Sequence, residues 1–398
     1  MDGLFLTGIG HLTTNGGEPI ADAVVATDEG NVTYAGPAHD APDQGSREHH
    51  DLGGRAVLPG FVDAHTHLVF SGDRSHEFAR RLAGESYARI AAEGGGILST
   101  VHATRAASET ELFEEASARA WRMIRSGTTS LEIKSGYGLT LESELRLLGV
   151  ARRIGAELPV TVKTTFLGAH SVPPEYAGDP DGYVDHLITD MLPAVSGLAD
   201  YCDVFVEEGI FGVEQARRVF EAAREHGLEP RIHAEQLTHH GGARLAADIG
   251  AASADHLDHA TEDDARAMAA AGVAAVLVPG ASYSLRSHQA PGPMLWEAGC
   301  TVALATDCNP GTSFLESMGL VISLAVVQMG LTADQAIWAA TRGGALSLGL
   351  NTRGHIAAGS PADLVVLDAP TPDHIPYRPA TALTWGTIQD GHWVHKVE

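Results

Sequence analysis

The sequence predicts an α/β protein, a (β/α)₈ TIM-like barrel carrying a small β-rich domain built from the two chain ends. Three observations predict it. Eight short apolar runs, each followed by a helical, Ala-rich stretch, repeat between Gly60 and Ala305, as repeated βα units do. Alternating, turn-punctuated segments occupy only the two ends. The Gly-rich dinucleotide fingerprint is missing from the first βα turn, which argues against the alternative of a doubly wound open sheet.

The N-terminal segments Ala23 to Thr27 and Asn31 to Ala35 flank the turn Asp28-Glu29-Gly30 and read as a hairpin. Ala362 to Leu367 and Gly386 to Val394, with the turn Asp390-Gly391, have the same character. The two ends are therefore expected to pair, giving residues 1–57 and 349–398 as halves of the small domain and 58–348 as the barrel. The eight barrel runs are Gly60 to Ala64, Thr128 to Ile133, Val160 to Leu167, Cys202 to Val206, Pro230 to Ala234, Ala252 to Ala254, Val273 to Val278 and Val302 to Ala305. In the long connection from Leu68 to Ser126, Phe113, Ala116, Ala120, Trp121 and Ile124 share one helical face, and Gly94-Gly95-Gly96 marks a turn or a loop over the barrel mouth.

Composition bounds the function. The chain has 398 residues, of which 44% are hydrophobic and 19% charged, enough for a substantial core. Its 51 acidic and 26 basic residues give a formal charge of −25, so a polyanion such as nucleic acid meets long-range repulsion. An anionic small substrate needs a local cation. Cys202, Cys300 and Cys308 are odd in number and lack a Cys-x-x-Cys pair, which points to a reducing compartment, the cytoplasm. The stretch Met1 to Gly10 carries Asp2 and no positive n-region, so it does not read as a signal peptide, and no apolar run has the length of a membrane span.

His65-Thr66-His67 follows directly on the first apolar run, and strand alternation sends residues two apart to one side, so both imidazoles can face one metal. His-x-His alone is a weak signal. The pairs His49-His50 and His239-His240 show why, because neither follows a strand that would aim it inward. The case sharpens because His233, His256 and Asp307 fall at the ends of runs five, six and eight, where barrels keep their chemistry. Such a nitrogen-rich set suits Zn²⁺ or Fe³⁺, one ion per subunit, and an ion with an open position would acidify a water and polarise a carbonyl. Asp307 has a second reading as a helix N-cap. Glu207 and Glu208 at the end of run four are either supports of the site or solvent-exposed. Run four contains no lysine that could bridge two metals, which favours a one-metal site.

Longer segments carry a family resemblance. Asp63-Ala64-His65-Thr66-His67-Leu68-Val69-Phe70 with Gly72-Asp73-Arg74, then Glu132 to Leu139, Thr165 to Tyr176, Val204 to Gly209, His233 to Leu237, Ser253 to Leu257 and Ala305 to Thr312, resemble in order and position the imidazolonepropionase family of the amidohydrolase superfamily. The resemblance implies a metal held by His65, His67, His233 and Asp307. It implies substrate or product contacts from Arg74, Tyr137, His170, Gln236, Asn309, Gly311 and Thr312, with His256 as acid/base and Asp307 as a further proton acceptor. The implied reaction adds water to 4-imidazolone-5-propanoate and yields N-formimidoyl-L-glutamate. Arg74 would bind the propionate carboxylate with its fork, and a homodimer is expected from barrels of this kind.

Two rival functions are separable on the sequence. A deaminase of the same superfamily generally has a glutamate three residues after the strand-five histidine; here Gln236 stands there, and an amide cannot shuttle a proton at neutral pH. A non-catalytic assembly protein on the same barrel would be expected to have lost metal ligands, and all four are present.

Overall fold

The computed structural model describes residues 3–85, 89–90 and 93–397, so Asp2 and the last residue of the C-terminal segment lie outside it. Among the described residues the strands fall into two sheets. The first contains β1 (Leu4–Leu12), β2 (Ile20–Asp28), β3 (Asn31–Pro37), β4 (Glu48–Asp51) and β5 (Ala56–Pro59) from the N-terminal end. The second is β6 (Phe61–Asp63), β7 (Thr128–Lys134), β8 (Thr161–Ala169), β9 (Tyr201–Val206), β10 (Glu229–Ala234), β11 (Ser253–His256), β12 (Ala274–Leu277) and β13 (Val302–Leu304). The C-terminal strands β14 (Leu364–Leu367), β15 (Thr384–Gln389) and β16 (His392–Lys396) join the first sheet, in the order β16-β15-β14-β5-β1-β2-β3. The two ends of the chain thus share a sheet, as the alternating patterns at each end predict.

The second sheet runs in sequence order with parallel pairing throughout, because each strand returns through a helical crossover. It closes beyond β6 and β13. Thr66 bridges Cys308 in parallel, Asp307 N donates to the His65 carbonyl at 3.0 Å, and His67 N donates to the Cys308 carbonyl at 3.1 Å. Closure therefore passes through the metal-ligand candidates themselves. All eight predicted runs form barrel strands, and the Thr128 to Lys134 strand is buried at every position.

The crossover helices begin where the sequence supplies caps. Thr140 accepts from Ser143 N, and Ser108 and Thr261 form capping boxes with Glu111 and Asp264. The long first connection includes the helices α1 (Ser75–Leu82), α2 (Ile97–Ala106) and α3 (Glu109–Arg125). Gly94–Gly96 is the turn that leads into α2, and Gly96 takes φ of +75°, which a side chain would resist. In α3 the face turned inward is Leu112, Ala116, Ala120, Met123 and Ile124, with Phe113 and Trp121 at its margin. Among the described residues no helix is long and apolar enough to cross a membrane.

Candidate active site

Strand ends and the turns after them set the site. His65 and His67 lie just past β6, His233 is the penultimate residue of β10, His256 the last of β11, and Asp307 lies three residues beyond β13. Asp307 and His256 both adopt left-handed backbone, with φ of +51° and +77°. Asp307 is buried in the histidine cluster and caps no helix, so its N-cap reading is excluded.

The donor atoms converge. His65 Nε2 is 3.3 Å from His67 Nε2, which is 3.4 Å from His233 Nε2, and Asp307 Oδ1 is 3.5 Å from His65 Nε2 and 3.4 Å from His67 Nε2. His65 Nδ1–H donates to Asp255 Oδ2 at 2.6 Å and His233 Nδ1–H to Asp203 Oδ2 at 2.9 Å. Those bonds fix each Nε2 as an unprotonated lone pair. Lone pairs held this close repel unless a cation lies among them. Ligand distances of about 2.0–2.1 Å in a tetrahedron put donors about 3.3–3.4 Å apart, and the His65–His67, His67–His233, His65–Asp307 and His67–Asp307 separations lie at that spacing, which suits a metal ion among them. His256 offers a further atom near His65 and Asp307. Its ring centroid is 5.3 Å from that of His65 and 5.2 Å from that of His233.

Burial keeps the imidazoles neutral, as ligands must be. It lowers His65, His67 and His233 well below the ordinary histidine value and takes His170 and His256 down to about 4. Burial also raises Asp307 well above the carboxylate range, against the opposing pull of the Asn309 hydrogen bond and Lys134.

Beneath the ligands lies a charged layer that reading the strands as apolar runs missed. Lys134 Nζ, with no exposed side-chain surface, is 2.9 Å from Glu132, 2.8 Å from Asp203 and 3.5 Å from Asp255. Arg231, equally buried, reaches Asp255 at 3.5 Å and donates to the carbonyls of Ser347 and Ala64. Burial opposes the charge on Lys134, yet Asp203, Glu132 and Asp255 hold its ammonium above the ordinary lysine value. The signal was present: charged residues inside runs otherwise fit for buried strands, with Glu132 and Lys134 two apart on one side.

Above the ligands opens a cavity of about 400 Å³. Its wall includes His67, His233, His256 and Asp307 together with Arg74, Tyr137, His170, Gln236, Asn309, Gly311 and Thr312, so the structure gathers every predicted substrate-contact residue in one place. Tyr137 is buried rather than a surface turn aromatic. His170 Nδ1–H donates to the Gly136 carbonyl at 3.0 Å, and its ring stacks on His67 with centroids 4.9 Å apart. Asn309 is committed within its own loop, donating to the Asp307 carbonyl at 2.7 Å and accepting from Gly311 N and Thr312 N at 2.8 Å. Arg74 lines the cavity already paired. Its Nε and Nη2 donate to buried Glu77 at 3.0 and 2.8 Å.

The two glutamates after β9 part company. Glu207 is buried and accepts from Leu237 N at 2.8 Å and from Thr238, so it pins the loop that presents Gln236 rather than touching a ligand; Glu208 is exposed. Lys163 in β8 pairs with Asp200 at 2.7 Å, away from the cluster. The remaining histidine pairs stay outside: His50 packs edge-on against Trp393, and His239 bonds Asp264.

A barrel with histidines and an aspartate converging at its strand ends defines a class, and the chain belongs to the amidohydrolase family, whose model matches residues 56–397. Its relatives narrow the class. The imidazolonepropionase of Mycolicibacterium smegmatis is 45% identical, covering 99% of this chain and 98% of its own. That of Streptomyces griseus is 46% identical over 98% of each, and that of Rhizorhabdus wittichii 48% identical over 92% of each. These relatives place the chain among the imidazolonepropionases. Solved structures share the fold at lower identity: the 5-methylcytosine deaminase of Klebsiella pneumoniae has a TM-score of 0.74 at 16% identity, covering 99% of this chain and 98% of its own. The N-isopropylammelide isopropylaminohydrolase of Burkholderia multivorans has 0.73 at 20%, with the same coverage.

Proposed function

We propose that this chain adds water to 4-imidazolone-5-propanoate and opens its ring to N-formimidoyl-L-glutamate, a hydrolysis in histidine degradation. The observation that supports it is the convergence of three imidazoles, two of them with tautomers set by Asp255 and Asp203, and one carboxylate on the floor of a cavity walled by the residues that the family resemblance assigns to substrate contact.

His65, His67 and His233 through Nε2 and Asp307 through Oδ1 would hold one Zn²⁺ or Fe³⁺ ion. When bound, such an ion supplies Lewis acidity toward the ring carbonyl and a water acidified to neutral pH. The remaining work falls to the protein. Neutral His256 accepts a proton as water adds to the carbonyl carbon, and returns one to the ring nitrogen when the C–N bond breaks. Asp307 is a second proton acceptor beside it. His170, whose Nδ1–H is spent on Gly136, presents Nε2 as an acceptor for a ring N–H. Arg74 and Tyr137 bind the propionate, Gln236 orients the ring, and Asn309 shapes the Gly311-Thr312 turn against it.

The test is direct. The ultraviolet absorbance of imidazolonepropionate should disappear with the purified enzyme, while guanine and cytosine stay unchanged, and metal analysis should give one ion per chain. Turnover of the control bases without ring opening would overturn the assignment. A cytoplasmic setting is supported by three buried, unpaired cysteines, and the homodimer by analogy with barrels of this kind, which sedimentation would check.

A further inference from the structure

We infer that Glu144 is a positioning residue for the reaction: its buried carboxylate sets the turn after β7 and, through the Gly136 carbonyl, aims His170 at the substrate ring. This rests on the reading of His170 as a ring contact made above. The turn of residues 136–139 lies between β7 and α4 (Leu141–Glu157), with Thr140 as the helix cap. Glu144 stands one turn into α4 and is fully buried. Its Oε2 accepts from Gly136 N at 3.0 Å, and its Oε1 from Gly138 N at 2.8 Å and from Leu139 N at 2.7 Å.

Those bonds hold a backbone that would not keep this shape alone. Gly136 has φ of +106° and Leu139 of +54°, and a left-handed value costs a residue with a side chain about 1 kcal/mol or more. Gly136 is bonded on both sides, its N–H to Glu144 and its carbonyl to His170 Nδ1–H at 3.0 Å. A Cβ on Gly136 would stand 3.1 Å from that same Nδ1, so ring and backbone meet with no room for a side chain between them. His170 lines the cavity beside Tyr137, which the same turn carries. A neutral side chain could not do this work. Glutamine accepts through one oxygen only, and its NH₂ would face either Gly136 N–H or the N–H groups of Gly138 and Leu139. A carboxylate receives all three, each bond roughly twice as strong as its neutral counterpart.

The experiment measures kcat and KM for imidazolonepropionate, and the Kd of imidazole-4-propionate by calorimetry, in the metal-loaded wild type, Glu144→Gln, His170→Gln and the double variant. Glu144→Gln should raise KM and Kd roughly tenfold or more, with kcat within about threefold of the wild type and metal content unchanged. In the His170→Gln background the same substitution should cost about threefold or less, because the contact it acts through is already gone. A Glu144→Gln variant that melts lower yet keeps wild-type KM and Kd, or losses that add fully in the double variant, would reduce Glu144 to a structural anchor of the turn. Should Glu144→Gln fail to fold, Gly138→Ala decides: its Cβ would stand 2.8 Å from Glu144 Oε1 and shift the turn with the carboxylate still in place. Weakened binding there supports the inference, and wild-type binding overturns it. Wild-type KM and Kd in His170→Gln would end both the ring-contact reading and the inference built on it. A wild type that binds imidazole-4-propionate yet opens no imidazolone ring would sink the proposed reaction alone, and the Kd values would still decide the role of Glu144.

Discussion

His256 sits on left-handed backbone, φ +77°, followed by Leu257 at +64°, a conformation that costs about 1 kcal/mol or more per residue and persists only where the surroundings enforce it. Its buried Nδ1 has no hydrogen-bond partner among the described residues. A ring held this way can exchange a proton without first giving up a bond. Replacement by asparagine should leave metal content near the wild-type value, lower kcat by roughly 10²–10⁴-fold and remove one limb of the pH–rate profile. Loss of the metal in this variant would make His256 a ligand instead. Neutral burial of His170 has a separate consequence for stability. Its pKa falls from 6.5 to about 4 because of burial, so between those values the unfolded chain binds a proton that the native chain does not. Stability is therefore fully present above pH 6.5 and declines as pH falls toward 4, by at most about 1.4 kcal/mol per pH unit for each such histidine. His170→Gln should flatten the acid side of a Tm-versus-pH curve. An unchanged slope would show that His170 does not titrate on unfolding.

At the scale of elements, what was legible in the sequence follows strand period. His65 and His67 stand two apart after an apolar run, so their common direction was readable, as were the positions of His233, His256 and Asp307 near strand ends. Lys134, Asp203, Asp255 and Arg231 were not, because a strand buried on both faces gives no alternation to say which side a charge takes. Only the closed barrel shows that these four meet beneath the ligands. Their arrangement makes a prediction: Asp203→Asn and Asp255→Asn, which weaken the acceptors of His233 Nδ1–H and His65 Nδ1–H, should lower metal affinity about 10–100-fold in chelator competition. Wild-type affinity in both would detach the charged layer from the metal site. The turn after β13 gives another. Gly311→Ala places its Cβ against the flexible end of Arg74, so Arg74 should swing aside, raising KM with little change in Tm. An unchanged KM would place the substrate away from Arg74.

For the whole molecule, the division into a barrel and a terminal sheet suggests independent parts, and the contacts between them say otherwise. β5 and β6 are separated by Gly60 alone, so the small sheet and the barrel share one continuous stretch of chain. Thr384 Oγ1 donates to the Ser126 carbonyl and Thr387 Oγ1 to the Ile124 carbonyl, each at 2.9 Å, joining β15 to the end of α3. Val365 of β14 and Phe61 of β6 then close over Gly127. Gly127 has φ of +101°, and a Cβ there would lie 2.4 Å from Val365 Cγ2 and 3.0 Å from the Phe61 ring, so no L side chain fits without parting the two sheets. Gly127→Ala should therefore destabilise the protein by about 2–4 kcal/mol through backbone strain and overpacking. If the two sheets fold as one unit, calorimetry of this variant will show a single transition at lower Tm with metal content preserved. Two resolved transitions, with the barrel melting where the wild type does, would show that the terminal sheet is a separate folding unit.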